Sequence, residues 1–220
     1  MLFALNSSGK IFTGTNLSKK PQIMYLIFER DNMNLVGSTL KRFEVEDLGE
    51  IKFRYPIMDD AEGLRDYINS LIDERVDFVI DEKVDLGEEI EYISDHLAEI
   101  EKGNQVGIVV EVGDNIKGFG RATKQEYACS HVAELGIGLR KEVRGRGIGT
   151  RLMEALIQEA KERLGTEIMK LSVFDTNTKA IKLYKKLGFE EVGRLKAGAK
   201  HYGEYKDLIF MEKDLRENQS

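Results

Sequence analysis

The residues of this 220-residue chain best suited to chemistry are Arg144-Gly145-Arg146-Gly147-Ile148-Gly149. They stand between an alternating apolar segment, Ala133-Glu134-Leu135-Gly136-Ile137-Gly138-Leu139, and a helical pattern that begins near Thr150. A glycine-rich turn opening onto a helix presents several backbone N–H groups with no intrahelical acceptor, and the helix dipole adds partial positive charge. Glycine is needed there because a side chain would obstruct an approaching anion or forbid the backbone angles. Arg144 and Arg146 add donors suited to phosphate oxygens. The segment is read as a pyrophosphate cradle. Position 150 is Thr rather than a third glycine, and no Gly-Lys-Ser/Thr is present, so neither a Rossmann nor a Walker loop fits. A net charge of −6 argues against an Arg-Gly nucleic-acid segment, which needs a basic surface.

A second constellation follows. Leu171-Ser172-Val173-Phe174 reads as a buried strand, then Asp175-Thr176-Asn177-Thr178 as a capping loop, then a helix that carries Ala180, Leu183 and Tyr184 and ends at Gly188-Phe189. The R-x-x-G-x-G turn, and N-x-x-A-x-x-L-Y-x-x-x-G-F from Asn177 to Phe189, resemble the two signatures of the GNAT N-acetyltransferase family, in that family's order. The resemblance covers roughly residues 50–213. It implies an α/β (α+β) GNAT fold, a mixed and mostly antiparallel sheet flanked by helices, and direct acetyl transfer from acetyl-CoA to a primary amine. It also implies that Gly145 through Thr150, including Gly147, Ile148 and Gly149, hold the pyrophosphate by their backbone. Ile137, Gly138 and Leu139 would offer backbone groups to the acetyl end, and Asn177 would bond to the amide arm. Tyr184, seven residues after Asn177, would protonate the departing thiolate.

The strand at 133–139 puts Glu134, Gly136 and Gly138 on one face. Its two glycines would leave bare backbone along which a ligand arm can lie, and Glu134 beside them is the candidate general base. At pH 7 neutralising an amine of pKa near 10.4 costs about 4.6 kcal/mol, against about 1.4 kcal/mol for an α-amino group near 8, so a strong amine needs a base more. Ser172 occupies the position where some protein N-terminal acetyltransferases of the family carry a glutamate, which weighs against a protein N-terminal role. His131, at a strand entrance, is the other group able to move protons near pH 7. Asp81, Glu82, Asp85, Glu88, Glu89 and Glu91 form an acidic run at the start of a helix. The run is either a solvated face or a lip favouring cationic acceptors.

The expected function is acetylation of a small-molecule amine: a polyamine, an amino acid or a related compound. A protein or peptide acetyltransferase is the alternative, and a non-catalytic acyl-CoA sensor the alternative of another class. No metal site is expected, because three scattered histidines and one cysteine supply no ligand cluster. The lone Cys129 fits a reducing compartment, and no apolar run suits a membrane span or signal segment, so a cytoplasmic protein without nucleic-acid or membrane partners is expected.

Positioning these residues requires an ordered set of elements. From Ile51 onward the patterns read β-α-α-β-β-β-α-β-α-β-β. Leu64, Ile68 and Leu71 mark one helix, and Ile90, Ile93, Leu97 and Ile100 the face of the next. A hairpin turns at Gly113-Asp114-Asn115. Phe189–Leu195 and Leu208–Lys213 should pair across a polar loop. The expected division is an accessory β extension at 1–48, the transferase domain at 49–215 and a tail at 216–220. The extension's segments, Lys10–Thr13, Ile23–Phe28 and Leu35–Gly37, are too short to be stable alone. Their expected partner is the main sheet or, in a homodimer, the same element of a second subunit.

Overall fold

Alternating apolar residues and tight turns generate eight strands that join in one sheet in the computed structural model, which describes residues 35–216. The strands are β1 (Thr39–Val45), β2 (Gly49–Arg54), β3 (Gln105–Val112), β4 (Asn115–Lys124), β5 (Val132–Leu139), β6 (Ile168–Phe174), β7 (Glu190–His201) and β8 (Glu204–Asp214). The helices are α1 (Ala61–Asp73), α2 (Leu86–Glu101), α3 (Ile148–Leu164) and α4 (Thr178–Lys186). Strand order across the sheet is β1-β2-β3-β4-β5-β6-β8-β7. Every neighbouring pair is antiparallel except β5–β6.

Both faces of the sheet are covered. On one, Ile108, Val110, Leu135 and Met169 pack with Leu152, Met153 and Leu156 of α3. On the other, Val109 and Phe119 pack with Leu64, Tyr67 and Leu71 of α1 and Ile93 of α2. Each such fully buried side chain contributes roughly 1.5–3 kcal/mol, which fixes the strand register. Helix ends follow local chemistry. Asp85 accepts from the Glu88 N–H at 2.9 Å while Glu88 accepts from the Asp85 N–H at 2.8 Å, a reciprocal cap for α2. Gly165, at φ 64°, ends α3 in the left-handed region.

Three expectations differ from the structure. The buried stripe of α2 is Glu89, Ile93, His96 and Ile100, while Ile90 is exposed; the helix is rotated so that a carboxylate takes an inward position. The loop expected between the last two strands is mostly strand. β7 and β8 run to a two-residue turn at Tyr202-Gly203, both with positive φ, as tight hairpins require, and bulges at 191–193 and 195–199 absorb the register shifts. Leu35–Gly37 forms a turn, not a strand.

β1 pairs with β2 as the edge of the main sheet, so the expected boundary at 48 falls within the turn of a hairpin. Phe43 meets Phe53 edge-on at 5.2 Å, and the Arg151 guanidinium of α3 lies 4.4 Å over the Phe43 ring. The segments at Lys10–Thr13 and Ile23–Phe28 lie outside the described residues. Among those described, no helix is long and apolar enough to cross a membrane.

Candidate active site

The parallel junction at the middle of the sheet is short. β5 pairs with β6 only at Val132↔Ile168, Ala133↔Met169 and Glu134↔Lys170. Beyond Glu134 the strands part. β6 remains paired to β8 through Phe174, and β5 to β4 through Leu139. The backbone groups of residues 135–139 that would face β6 therefore point into a gap. A cavity of about 520 Å³ opens there, lined by Leu64, Tyr67 and Phe119 from one face of the sheet and Leu135, Val173 and Tyr184 from the other.

Residues on alternate positions of β4 and β5 form the wall toward α1 and α2. Phe119, Arg121 and Thr123 stand opposite Gly138, Gly136 and Glu134 respectively. The two glycines differ in purpose. A Cβ on Gly138 would collide with the Tyr67 hydroxyl, whereas one on Gly136 would meet nothing within 4 Å. Gly138 lets α1 pack close; Gly136 leaves open space.

The glycine-rich turn ends the same strand. Gly145 and Gly147 have φ of 75° and 77°, in the left-handed region, with nothing within 4 Å of where a Cβ would be. Gly147 is the N-cap of α3, which leaves the N–H groups of Ile148, Gly149 and Thr150 without intrahelical acceptors. The two arginines face elsewhere. Arg144 donates through Nε to the Leu139 carbonyl at 2.7 Å and through both terminal nitrogens to Glu74 at 2.6 and 2.9 Å. Arg146 donates to the Glu46 carbonyl at 3.2 Å, in the β1–β2 turn.

Across the gap, Asn177 caps α4 by accepting from the Ala180 N–H at 3.2 Å and donates to the Asp77 carbonyl at 3.4 Å. The Asp77 carboxylate also accepts from Thr176 at 3.0 Å and pairs with Lys206 of β8 at 2.5 Å. The α1–α2 loop is thereby fastened over the gap. Tyr184 is 8% exposed, lines the cavity, and its hydroxyl has no hydrogen-bond partner among the described residues. Burial pushes its pKa up to about 12, which keeps the proton on the oxygen at neutral pH.

A bare strand edge in a gap, an open glycine cradle with unpaired N–H groups, and a free buried hydroxyl suit a ligand with an extended amide arm and a pyrophosphate. A model of the acetyltransferase (GNAT) family matches residues 69–189, more than half of the chain. The chain belongs to the GNAT acetyltransferase family. The L-amino acid N-acetyltransferase AaaT of Escherichia coli (strain K12) is 33% identical over 127 residues, covering 56% of this chain and 78% of that protein. Among solved structures, the ribosomal-protein-alanine N-acetyltransferase of Brucella melitensis superposes with a TM-score of 0.66 at 25% identity, over 74% of this chain and 99% of that one. The phosphinothricin acetyltransferase (Pat) of Sinorhizobium meliloti, solved with acetyl-CoA, gives 0.68 at 22% identity, over 77% and 90%.

In this acetyltransferase the carboxylates at the cavity differ sharply. Glu134, the base expected from sequence, lines the cavity with its side chain half exposed, and lies 3.2 Å from Lys170. His131 is exposed, outside the residues lining the cavity. Of the acidic run, Glu82, Asp85, Glu88 and Glu91 are exposed, but Glu89 is 5% exposed, lines the cavity and has no ion pair or side-chain hydrogen bond among the described residues. Burial raises its pKa to about 7. Glu89 was legible only as one acid among six, although its spacing of four, seven and eleven from Ile93, His96 and Ile100 marks it as inward. Arg121 and Asp77 escaped the sequence reading altogether. Among the described residues no group of His, Cys, Asp or Glu is arranged to hold a metal ion.

Proposed function

We propose that this acetyltransferase acetylates the primary amine of a small molecule, with acetyl-CoA as donor. The observation that carries the reading is the Tyr184 hydroxyl, buried, protonated and without a partner, at a gap that opens into a cavity of about 520 Å³. That volume is within the range of small-molecule sites, about 300–1,000 Å³. The AaaT relationship supports an amino-acid or similar small acceptor, and the pinned α1–α2 loop, which roofs the cavity, suits a compact one.

When bound, acetyl-CoA supplies an activated thioester whose sulfur leaves as a thiolate. The N–H groups of Ile148, Gly149 and Thr150, with the open backbone of Gly145 and Gly147, hold the pyrophosphate. Ile137, Gly138 and Leu139 present backbone groups to the arm and acetyl end, and Asn177 faces the arm from the other side. Arg144 and Arg146 brace the turn, and their cationic charge adds to the field at the cradle. Tyr184 gives a proton to the sulfur. Glu134, paired with Lys170, and the buried Glu89 are the two carboxylates able to receive the amine's proton.

Thiol release from acetyl-CoA, measured with free amino acids, polyamines and an alanine-starting peptide, tests the reading. Saturable turnover with a small amine is expected. Turnover confined to the peptide would favour the protein-acetylating alternative, and binding of acetyl-CoA with no turnover would favour a sensor.

A further inference from the structure

Two charged side chains line the cavity without a counter-charge. Glu89 is almost fully buried and lacks an ion pair, and Arg121 has no carboxylate partner among the described residues. Leaving a carboxylate in an apolar wall is expensive unless something completes it. Packing seats α2 on Val109 and Phe119 and so turns Glu89 inward and Ile90 outward, yet no described residue offsets the carboxylate that this buries. Tyr92 interacts with both charges. Its hydroxyl accepts from Arg121 at 3.0 Å, and the guanidinium lies 5.6 Å from its ring centroid. Burial raises the Tyr92 hydroxyl's pKa, Arg121 opposes that rise and Glu89 adds to it, so the ring feels both poles.

Arg121 projects on the cavity side of β4 directly opposite Gly136, the position where a Cβ would meet nothing within 4 Å. The position on β5 opposite Arg121 thus brings no side chain into the cavity. The remaining carboxylates are otherwise engaged. Glu134 pairs with Lys170, Asp77 with Lys206, and Glu88 caps α2 at the surface. The rest of the lining is largely apolar, with Leu64, Ile68, Phe119, Val173 and Phe174.

Building on the proposed small-amine acetylation, we infer that Glu89 and Arg121 are the two poles of an acceptor subsite for an α-amino acid with an apolar side chain. The acceptor's amine is held at Glu89 and its carboxylate at Arg121 over Gly136. A guanidinium forks onto a carboxylate by two donors, a match that an amide or a simple alkylamine cannot make. The same Arg121 repels a polycation, so the arrangement selects against polyamines.

Calorimetric titration of the CoA-loaded protein with a panel of apolar L-amino acids, with L-leucinamide and with spermidine tests this, alongside thiol release from acetyl-CoA with the same amines. At least one amino acid should bind, and its amide should bind roughly 30-fold more weakly, as expected for loss of a charge-assisted bonding pair. Arg121→Met should abolish that preference, Arg121→Lys should keep part of it, and Glu89→Gln should weaken both acid and amide. No binding by any amino acid, equal binding of acid and amide, or a preference for spermidine would overturn the assignment. Turnover of amines regardless of a carboxylate would overturn this subsite and leave the proposed function standing. Carboxylate-dependent binding without thiol release would support the subsite and sink the proposed transfer.

Discussion

Arg144 grips Glu74 by two parallel hydrogen bonds, 2.6 and 2.9 Å long, and so ties the start of the glycine-rich turn to the end of α1. A third bond from the same guanidinium holds the Leu139 carbonyl at the end of β5. The arginine joins strand, turn and helix at one point. As a brace, it should depend on its carboxylate. Glu74→Ala is expected to lower stability by about 1 kcal/mol, the usual worth of a partly exposed pair, and to weaken CoA binding modestly. Tighter CoA binding by Glu74→Ala would mean instead that the freed arginine reaches the phosphates. Thermal melts and CoA titration distinguish the two.

Tyr184→Phe removes one buried hydroxyl that bonds to no described residue. Stability and CoA affinity should change little, while kcat should fall roughly 10²-fold if the hydroxyl protonates the leaving sulfur. Near-normal kcat under conditions where the chemical step limits turnover would return Tyr184 to a packing role.

Gly138 and Gly136 are two positions apart on one strand, yet their substitutions should fail differently. Gly138→Ala forces the Tyr67 ring to move and should cost about 1–3 kcal/mol, an overpacking penalty that Tyr67→Phe partly relieves. Gly136→Leu should fold normally and block the acceptor, because its side chain enters open space. Equal melting temperatures for Gly138→Ala with and without Tyr67→Phe would contradict the collision.

Glu89 offers a test in the pH dependence of stability. Its folded pKa, about 7, lies above the ordinary carboxylate value. Its contribution to stability is therefore fully present below the unfolded pKa and is lost as pH rises to the folded one. Glu89→Gln, which stays neutral, should be more stable than the parent protein at pH 8 by roughly 3 kcal/mol, and the gain should vanish near pH 4. The neighbours facing it should not produce the same profile. Tyr67, Tyr92 and Tyr184 hold their protons well above neutrality, and Asp77 and Glu134 are paired to lysines. His96 on the same helix is held near 4 by burial, below the window in question. A melting difference independent of pH would show that Glu89 titrates alike in the folded and unfolded chains, against its burial.

The strand and helix order from Ile51 onward was legible because each element carries its own period and its own stop: Gly113 at the hairpin, Gly165 after α3, and Asn177 before α4. The glycine turn and the spacing from Asn177 to Tyr184 were legible because backbone chemistry constrains residue type there. What escaped was set by tertiary structure. The inward turn of Glu89 depends on how α2 seats on Val109 and Phe119. The pairing of Arg144 with Glu74 joins positions seventy residues apart. The length of β7 and β8 was hidden because their outer halves carry polar residues on an exposed edge. The expected boundary at 48 followed the span of the family resemblance, which begins near residue 50 and does not say how β1 pairs. Comparing truncations after residue 34 and after residue 48 isolates β1, whose removal should uncover Phe53 and sharply lower the melting temperature.

The three-residue junction between β5 and β6 divides the sheet into two leaves, β1–β5 and β6–β8, stitched along only part of their shared edge. A ligand lying in the open part touches both leaves and works as a rivet, binding the folded protein and not the unfolded chain. Ligand and fold are then thermodynamically linked. Acetyl-CoA at 100 times its dissociation constant should add about 2.7 kcal/mol to unfolding. Amide exchange should slow most at residues 135–139 and 171–174, where the leaves come apart, and the protein's lifetime against heat would follow the supply of its own cosubstrate.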